Sequence, residues 1–278
     1  MKMESRFMKR LKRISNAILL ETREHKASFM VYMVLRLLVI LTMILQFFNQ
    51  NYENVFMCVL TLLLLIVPSF FQVTFKVELP STLEIIILLF IFAAEILGEV
   101  NDYYFVFPQW DTMLHTLNGF LAAAIGFSLV DLLNKSERVK FELSPLYVVL
   151  VAFCFSMTIG VIWEFFEFSM DQFFGMNTQK NTMITLLNGA DLVDGSRVTI
   201  HNIKEVIVNG QQLAGYVDIG LIDTIGDLLV NFIGAAVFSV FGFFYAKYPN
   251  TFNFLKRFIP RKKDKDKDYL RNQDSGEN

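Results

Sequence analysis

Long apolar runs alternate with short polar connections along most of the chain. A membrane-spanning helix needs about 20 mostly apolar residues. Six runs approach or reach this length, at residues 29–48, 55–71, 82–97, 112–133, 145–166 and 221–246. The run at 112–133 is long enough only if its first turns, which carry polar side chains, belong to the helix. The pattern therefore predicts an all-α, polytopic integral membrane protein, a bundle of about six transmembrane helices.

The composition supports a membrane protein over a soluble domain. Hydrophobic residues make up 54% of the chain and charged residues only 19%, which is too apolar for an ordinary soluble fold. The two cysteines, Cys58 and Cys154, lie far apart in apolar runs. They form neither a CxxC metal motif nor a disulfide framework. The lipid bilayer is the predicted surrounding of most of the chain.

Basic residues are shared unequally between the two sets of connections. Of the 25 lysines and arginines, 21 lie in the segment 1–28, around residue 76, in 134–143 and from 247 onward. The alternate connections hold three, and Arg36 lies in the first run. The positive-inside rule then predicts that both termini lie in the cytoplasm. Because topology explains the basic clusters, we expect no nucleic-acid binding.

This topology divides the chain into three parts. Residues 1–28 are predicted to be a basic cytoplasmic segment, 29–246 the transmembrane domain, and 247–278 a charged, disordered cytoplasmic tail. The extracytoplasmic connection 167–220 lies between helices five and six. In it, Asn209-Gly210 follows a β-branched run, which predicts a hairpin, and 198–200 reads as a further strand. We therefore expect a small β-rich insert, with a disordered loop as the alternative.

Three of the predicted helices carry pairs of ionisable side chains at helical spacing, and the topology puts all three pairs at the outer level of the membrane. The pairs are Asp111 with His115, Glu164 with Glu167, and Asp223 with Asp227. Residues spaced by three or four positions project from one helix face, and such pairs converging from several helices build metal sites in bundles. We predict that all six are ligands of a divalent cation, with zinc, manganese and iron not distinguished. Magnesium or calcium is the alternative if His115 is not a ligand.

The third predicted helix adds Glu95 and Glu99 at the same outer level. Seven carboxylates would then face a single histidine. Carboxylates at close range cannot all stay ionised in a low-dielectric site. Either a cation binds, or several carboxyls are protonated, or the side chains diverge.

Each polar residue also has a structural interpretation when it is taken alone. Asp111 and Asp223 open helices and could be N-caps. His115 could be a hydrogen-bonded residue of the bundle interior. Asn118 and Asn231 favour interhelical hydrogen bonds over metal ligation. The joint occurrence of the pairs at one level, not any single residue, favours a site.

A family resemblance rests on the same residues. The motifs are Trp110-Asp111 with His115 and Gly119, Trp163-Glu164 with Glu167, and Asp223 with Asp227, Asn231, Gly234 and Ala235. In these motifs the chain resembles the YjdF-like family of uncharacterised bacterial inner-membrane proteins. The resemblance implies a polytopic bacterial membrane protein but carries no established reaction. The segment 197–220 looks like an insertion relative to the compact connection expected in that family.

Three functions are consistent with these features, and the sequence leaves open whether the protein is an enzyme. The first is a metal-dependent hydrolase acting on a small molecule or lipid at the outer leaflet, with Glu164 or Glu167 as the catalytic general base. It lacks the GxSxG and HExxH motifs of familiar hydrolases. The second is a cation or proton transporter, although the inner halves of helices four to six are nearly free of charge. The third is a non-catalytic protein that binds an envelope partner through the outer insert.

Overall fold

The computed structural model describes residues 2–134, 142–192 and 194–269. Most of these residues are helical. The helices are α1 (Lys2–Thr22), α2 (Lys26–Phe48), α3 (Tyr52–Leu64), α4 (Val67–Phe75), α5 (Ser81–Phe92), α6 (Tyr103–Val106), α7 (Trp110–Asn134), α8 (Pro145–Phe174) and α9 (Leu221–Lys247). A π-helical segment follows α5 at Ala93–Val100, and 3-10 turns lie at Asn253–Arg257 and Lys265–Lys267.

Five helical segments in the described part of the chain are long and apolar enough to cross a membrane. They are Lys26–Phe48, Tyr52–Phe75, Trp110–Asn134, Pro145–Phe174 and Leu221–Lys247. The second of them combines α3 and α4, which meet where Pro68 in the first turn of α4 has no N–H to continue the helix. Many large apolar side chains on these helices are exposed, such as Leu45 (63%) and Leu229 (60%), which is the surface expected against lipid tails.

The remaining predicted segment, 82–97, differs from a uniform helix. It is α-helical through Phe92 and then winds as a π-helix to Val100. The described part of the chain therefore has five segments that are long and apolar enough to cross a membrane, and the predicted sixth helix is this composite segment. The apolar pattern could not show the change, because both windings bury apolar residues.

Helix α8 is longer than predicted. It continues past residue 166 to Phe174 and ends at Gly175, which has a positive φ of 66°. Glycine adopts this conformation without steric cost, so it stops the helix. The connection between α8 and α9, which the topology prediction places outside, consequently begins at residue 175 and not at 167.

Helices α7, α8 and α9 pack into one bundle because small residues let their backbones approach. A Cβ added at Gly234 would lie 1.9 Å from the carbonyl oxygen of Thr116, and one at Gly119 would lie 2.1 Å from that of Asn231. Below these contacts lies a buried apolar cluster that includes Ala124, Phe127, Ala152, Ala235 and Phe238. The close approach sets the position of α7 along the axis of α9.

The outer insert contains short antiparallel strand pairs. Strand β1 (Val77–Glu78) belongs to another part of the molecule, and the insert holds β2 (Met183–Ile184), β3 (Leu187–Asp191), β4 (Arg197–Ile200), β5 (Val206–Val208), β6 (Gln211–Leu213) and β7 (Tyr216–Val217). Their pairs are β2–β7, β3–β4 and β5–β6. Asn209 and Gly210 join β5 to β6 with φ values of 50° and 81°, as a tight hairpin turn requires. The β-rich insert is thus confirmed, and a wholly disordered loop is wrong.

The C-terminal tail folds against the opposite end of the bundle. Strand β8 (Arg261–Lys262) pairs with β1, the buried ammonium of Lys263 contacts the buried carboxylate of Glu21 in α1, and the Ser128 hydroxyl donates to the carbonyl of Pro260 over 2.7 Å. The prediction of a disordered tail is therefore wrong up to residue 269. Residues 270–278 lie outside the described part. The terminal segments meet at the end of the bundle away from the β insert.

Candidate metal centre

The first turns of α7 place Asp111 and His115 beside α9. The Nε2 atom of His115 lies 3.5 Å from Oδ1 of Asp111 and 3.7 Å from Oδ2 of Asp227. In a tetrahedral zinc site with bonds of about 2.0–2.2 Å, ligand atoms lie roughly 3.3–3.6 Å apart. The three side chains therefore have nearly the spacing of ligands around one ion.

Neither aspartate acts as the N-cap that its position suggested. Helix α7 begins at Trp110, so Asp111 lies inside the first turn. The N-cap position of α9 is Gly220, and Asp223 lies within that helix. Asp218 accepts hydrogen bonds from the amides of Gly220 (3.2 Å) and Ile222 (2.8 Å) at this helix start. The capping alternative is therefore wrong for both Asp111 and Asp223.

On α8, Glu164 and Glu167 are buried with little hydrogen bonding. Their residues are 4% and 8% exposed. The indole N–H of Trp163 donates to Oε1 of Glu167 over 3.0 Å. Among the described residues, both oxygens of Glu164 and Oε2 of Glu167 have no hydrogen-bond partner. Burying an unpaired carboxylate is costly, so these oxygens point to a bound cation or proton.

The five buried or half-buried side chains form two groups that share one residue. Asp111, His115 and Asp227 form the first group, and Glu164, Glu167 and Asp227 form the second. Within each group, one potential ligand atom per residue lies within 4.8 Å of the others. Asp223 is half-buried one turn before Asp227 and belongs to neither group in the described chain. The structure thus brings together five of the six predicted residues.

A polar layer lies directly below the two groups. The amide of Asn118 donates to Oδ1 of Asn231 over 3.1 Å, and the amide of Asn231 lies 3.6 Å from the sulfur of Met157. The hydroxyl of Ser156 donates to the carbonyl of Gly119 over 2.8 Å. Asn118 and Asn231 are therefore interhelical hydrogen-bonders, as predicted.

The sequence interpretation missed one cation, Lys180 of the outer insert. Its Nζ donates to Oε1 of Glu99 (2.7 Å) and to the carbonyl of Thr178 (2.8 Å), and it lies 4.3 Å from the centre of the Tyr104 ring. Burial disfavours the ammonium, but the carboxylates of Glu99, Glu167 and Asp111 together outweigh this effect and raise the pKa of Lys180. Lys180 is one of only three basic residues in the connection 167–220, and this scarcity was the feature of the sequence that could have identified it.

Asp171 fixes the turn that carries Lys180. Its Oδ1 accepts from the amide of Thr178 (2.6 Å) and from the Thr178 hydroxyl (2.7 Å), and its Oδ2 accepts from the amide of Gln179 (3.0 Å). The Gln179 side chain donates to the hydroxyl of Thr224 in α9 over 2.7 Å. The insert is therefore tied to both α8 and α9 beside the carboxylates.

Comparison with known proteins supports the membrane assignment. Residues 31–248 match the family described as "Predicted membrane protein (DUF2238)". The chain belongs to this family. The matched range includes the apolar helices and every residue of the two ligand groups, so the DUF2238 protein is embedded in a lipid bilayer. The narrower YjdF-like assignment stays a prediction.

One curated relative is an uncharacterised protein of Thermotoga maritima. It is 29% identical over 112 residues, which cover 40% of this chain and 56% of that protein. No solved structure matches the chain.

Proposed function

We propose that this DUF2238 protein binds a divalent cation in a pocket at one end of the α7–α8–α9 bundle, and that it uses the ion for hydrolysis at the outer leaflet of the bacterial cytoplasmic membrane. The proposal rests on three buried carboxylate oxygens, both of Glu164 and Oε2 of Glu167, which accept no hydrogen bond within the described residues. They lie beside the group of Asp111, His115 and Asp227.

The donor set supports a transition metal. One imidazole and two carboxylates suit zinc, manganese or iron, and three protein ligands leave a coordination position for water. A bound divalent ion lowers the pKa of such a water and makes it a nucleophile near neutral pH. The oxygens of Glu164, which have no partner in the described chain, can accept its proton.

Charge distribution supports an outward-facing pocket. The pocket lies at the end of the bundle that carries the β insert, whereas the terminal segments with most of the basic residues meet at the other end. The positive-inside rule puts that basic end in the cytoplasm. A substrate would then reach the pocket from the periplasmic or external side, as a small molecule or as the headgroup of a lipid.

The packing below the pocket argues against ion transport. Beneath the layer of Asn118 and Asn231, the described part of the bundle is filled by apolar side chains such as Phe127 and Phe238, both fully buried. A transported ion would need polar groups through this layer.

The insert is attached to the bundle beside the pocket by the ion pair between Lys180 and Glu99. This contact favours a role of the insert in covering the pocket over a role as a separate binding surface for an envelope partner.

Metal analysis of the purified full-length protein tests the proposal. After equilibration with Zn²⁺ or Mn²⁺ and removal of unbound ion, we expect at least one ion per chain. We also expect hydrolysis of a chromogenic ester or phosphoester that is abolished by a chelator and restored by the metal. Lys204→Met, an exposed change in the insert, serves as a control that keeps both properties. A wild-type protein that holds no ion after metal loading would refute the proposal.

A further inference from the structure

Asp227 stands between two ligand groups, each with its own set of donors. One group adds Asp111 and His115 from α7, and the other adds Glu164 and Glu167 from α8. A carboxylate has two oxygens, so one aspartate can donate to two ions at once. We propose that the pocket is a two-metal centre in which Asp227 bridges the ions. This inference rests on the proposed divalent-cation binding and specifies how many ions bind and where.

Charge balance favours two ions over one. The two groups contain four carboxylates, on Asp111, Glu164, Glu167 and Asp227, together with one neutral imidazole. Two divalent cations neutralise four carboxylates, whereas one leaves two negative charges uncompensated in a buried site. Lys180 offsets part of this charge, because its ammonium acts on the carboxylates of Glu167 and Asp111 as well as on Glu99. It contributes only one positive charge and is hydrogen-bonded to Glu99 and the Thr178 carbonyl.

The burial of Glu164 points to an ion within its own group. The residue is 4% exposed, and neither of its oxygens has a hydrogen-bond partner in the described chain. Protonation is the alternative to a cation, because a proton on Glu164 can be shared with Glu167 or Asp227, each of which has a carboxylate oxygen within 4.8 Å. A cation coordinated by these oxygens satisfies them directly.

The two-ion arrangement also defines the chemistry more closely. Ions held about 3.5–4 Å apart can clamp the attacking and the leaving oxygen of an in-line displacement, as in phosphatases and nucleases. The substrate class is then a phosphate ester. Two ions would lower the pKa of a water bound between them, and its proton would pass to bulk solvent. The resulting hydroxide would form the new P–O bond as the ester P–O bond breaks, and the leaving alkoxide would take a proton from solvent. Glu164 and Glu167 would then hold the second ion, and the role of proton acceptor that a one-ion site gives to Glu164 would pass to solvent.

Stoichiometry and magnetic coupling of Mn²⁺ test the inference. The full-length wild-type protein in detergent is loaded with Mn²⁺, desalted, and analysed for metal content and by electron paramagnetic resonance. We expect two ions per chain and the spectrum of an exchange-coupled Mn²⁺ pair. Glu164→Gln combined with Glu167→Gln should bind one ion with an uncoupled spectrum, and so should Asp111→Asn combined with His115→Ala. Asp191→Asn, an exposed carboxylate of β3, should keep the coupled pair.

The outcomes separate this inference from the proposed function. A single uncoupled ion per wild-type chain would overturn the two-metal centre and leave the proposed cation binding intact. No bound ion at all would refute both. The wild-type measurement needs no variant, so a failure of either double variant to fold does not affect it.

Discussion

The contact between α7 and α9 at Gly234 makes the position of the site ligands sensitive to one methyl group. Gly234→Ala would place a Cβ 1.9 Å from the Thr116 carbonyl oxygen and 2.9 Å from the Phe120 amide nitrogen. Both atoms belong to backbone, which cannot rotate out of the way. Ordinary contacts need about 3.5 Å, so α7 and α9 must separate by roughly 1.5 Å.

This separation acts on both stability and the site. Alanine improves helix propensity by about 0.5–1 kcal/mol over glycine, but overpacking costs typically ~1–3 kcal/mol. We expect a net loss of about 1–2 kcal/mol and a melting temperature roughly 2–8 °C lower. The distance from His115 to Asp227, now 3.7 Å, would also grow beyond what one ion can span. Metal affinity should therefore fall as well.

The chain offers a matched control on the same helix. A Cβ at Gly226 would meet nothing within 4 Å, so Gly226→Ala should be neutral or slightly stabilising. Thermal unfolding in detergent and Zn²⁺ titration should be measured for both variants. Equal melting temperatures and equal metal affinities for Gly234→Ala and Gly226→Ala would refute the reasoning.

Two further predictions concern the outer insert. Lys180→Met leaves the half-buried Glu99 carboxylate unpaired and should lower the melting temperature, by an amount that corresponds to about 1–3 kcal/mol. Lys204→Met should leave the melting temperature unchanged. If the melting temperature of Lys180→Met stays low after Glu99→Gln is added, the loss does not come from the unpaired Glu99 carboxylate and this explanation is wrong. At Asp218, burial alone would raise the pKa, but the backbone amides of Ile222, Thr182 and Gly220 lower it below 3.8. A carboxylate with a depressed pKa stabilises the fold above its unfolded value and loses that effect as pH falls through the folded value. Asp218→Asn removes the charge but keeps one acceptor oxygen, so it should cost about 0.5–1 kcal/mol at pH 7. Acid titration should show this gap closing as the pH falls below about 3.8, and a gap independent of pH would count against this role of the Asp218 carboxylate.

Sequence reasoning reached those parts of the site that depend on a single helix. The spacing of Asp111 and His115, or of Glu164 and Glu167, fixes their common face because helix geometry is nearly invariant. The alternation of apolar runs with connections rich or poor in basic residues predicted that the three pairs of ionisable side chains lie at the same end of the bundle. The Asn-Gly turn was likewise local, since the backbone conformation of two residues selects the hairpin.

Tertiary structure decided what lies between the helices. Asp223 and Asp227 lie on one face of α9, yet among the described residues only Asp227 belongs to the two ligand groups. Asp223 lies one turn nearer the start of the helix, and the contacts at Gly119 and Gly234 set the position of α9 along α7. Lys180 reaches Glu99 through a turn built on Asp171, a path that no periodicity encodes. The tail is ordered up to residue 269 by pairing with β1 and by contact with α1. Local spacing determined which residues can act together on one helix, and only the packing of helices determined which of them share a centre.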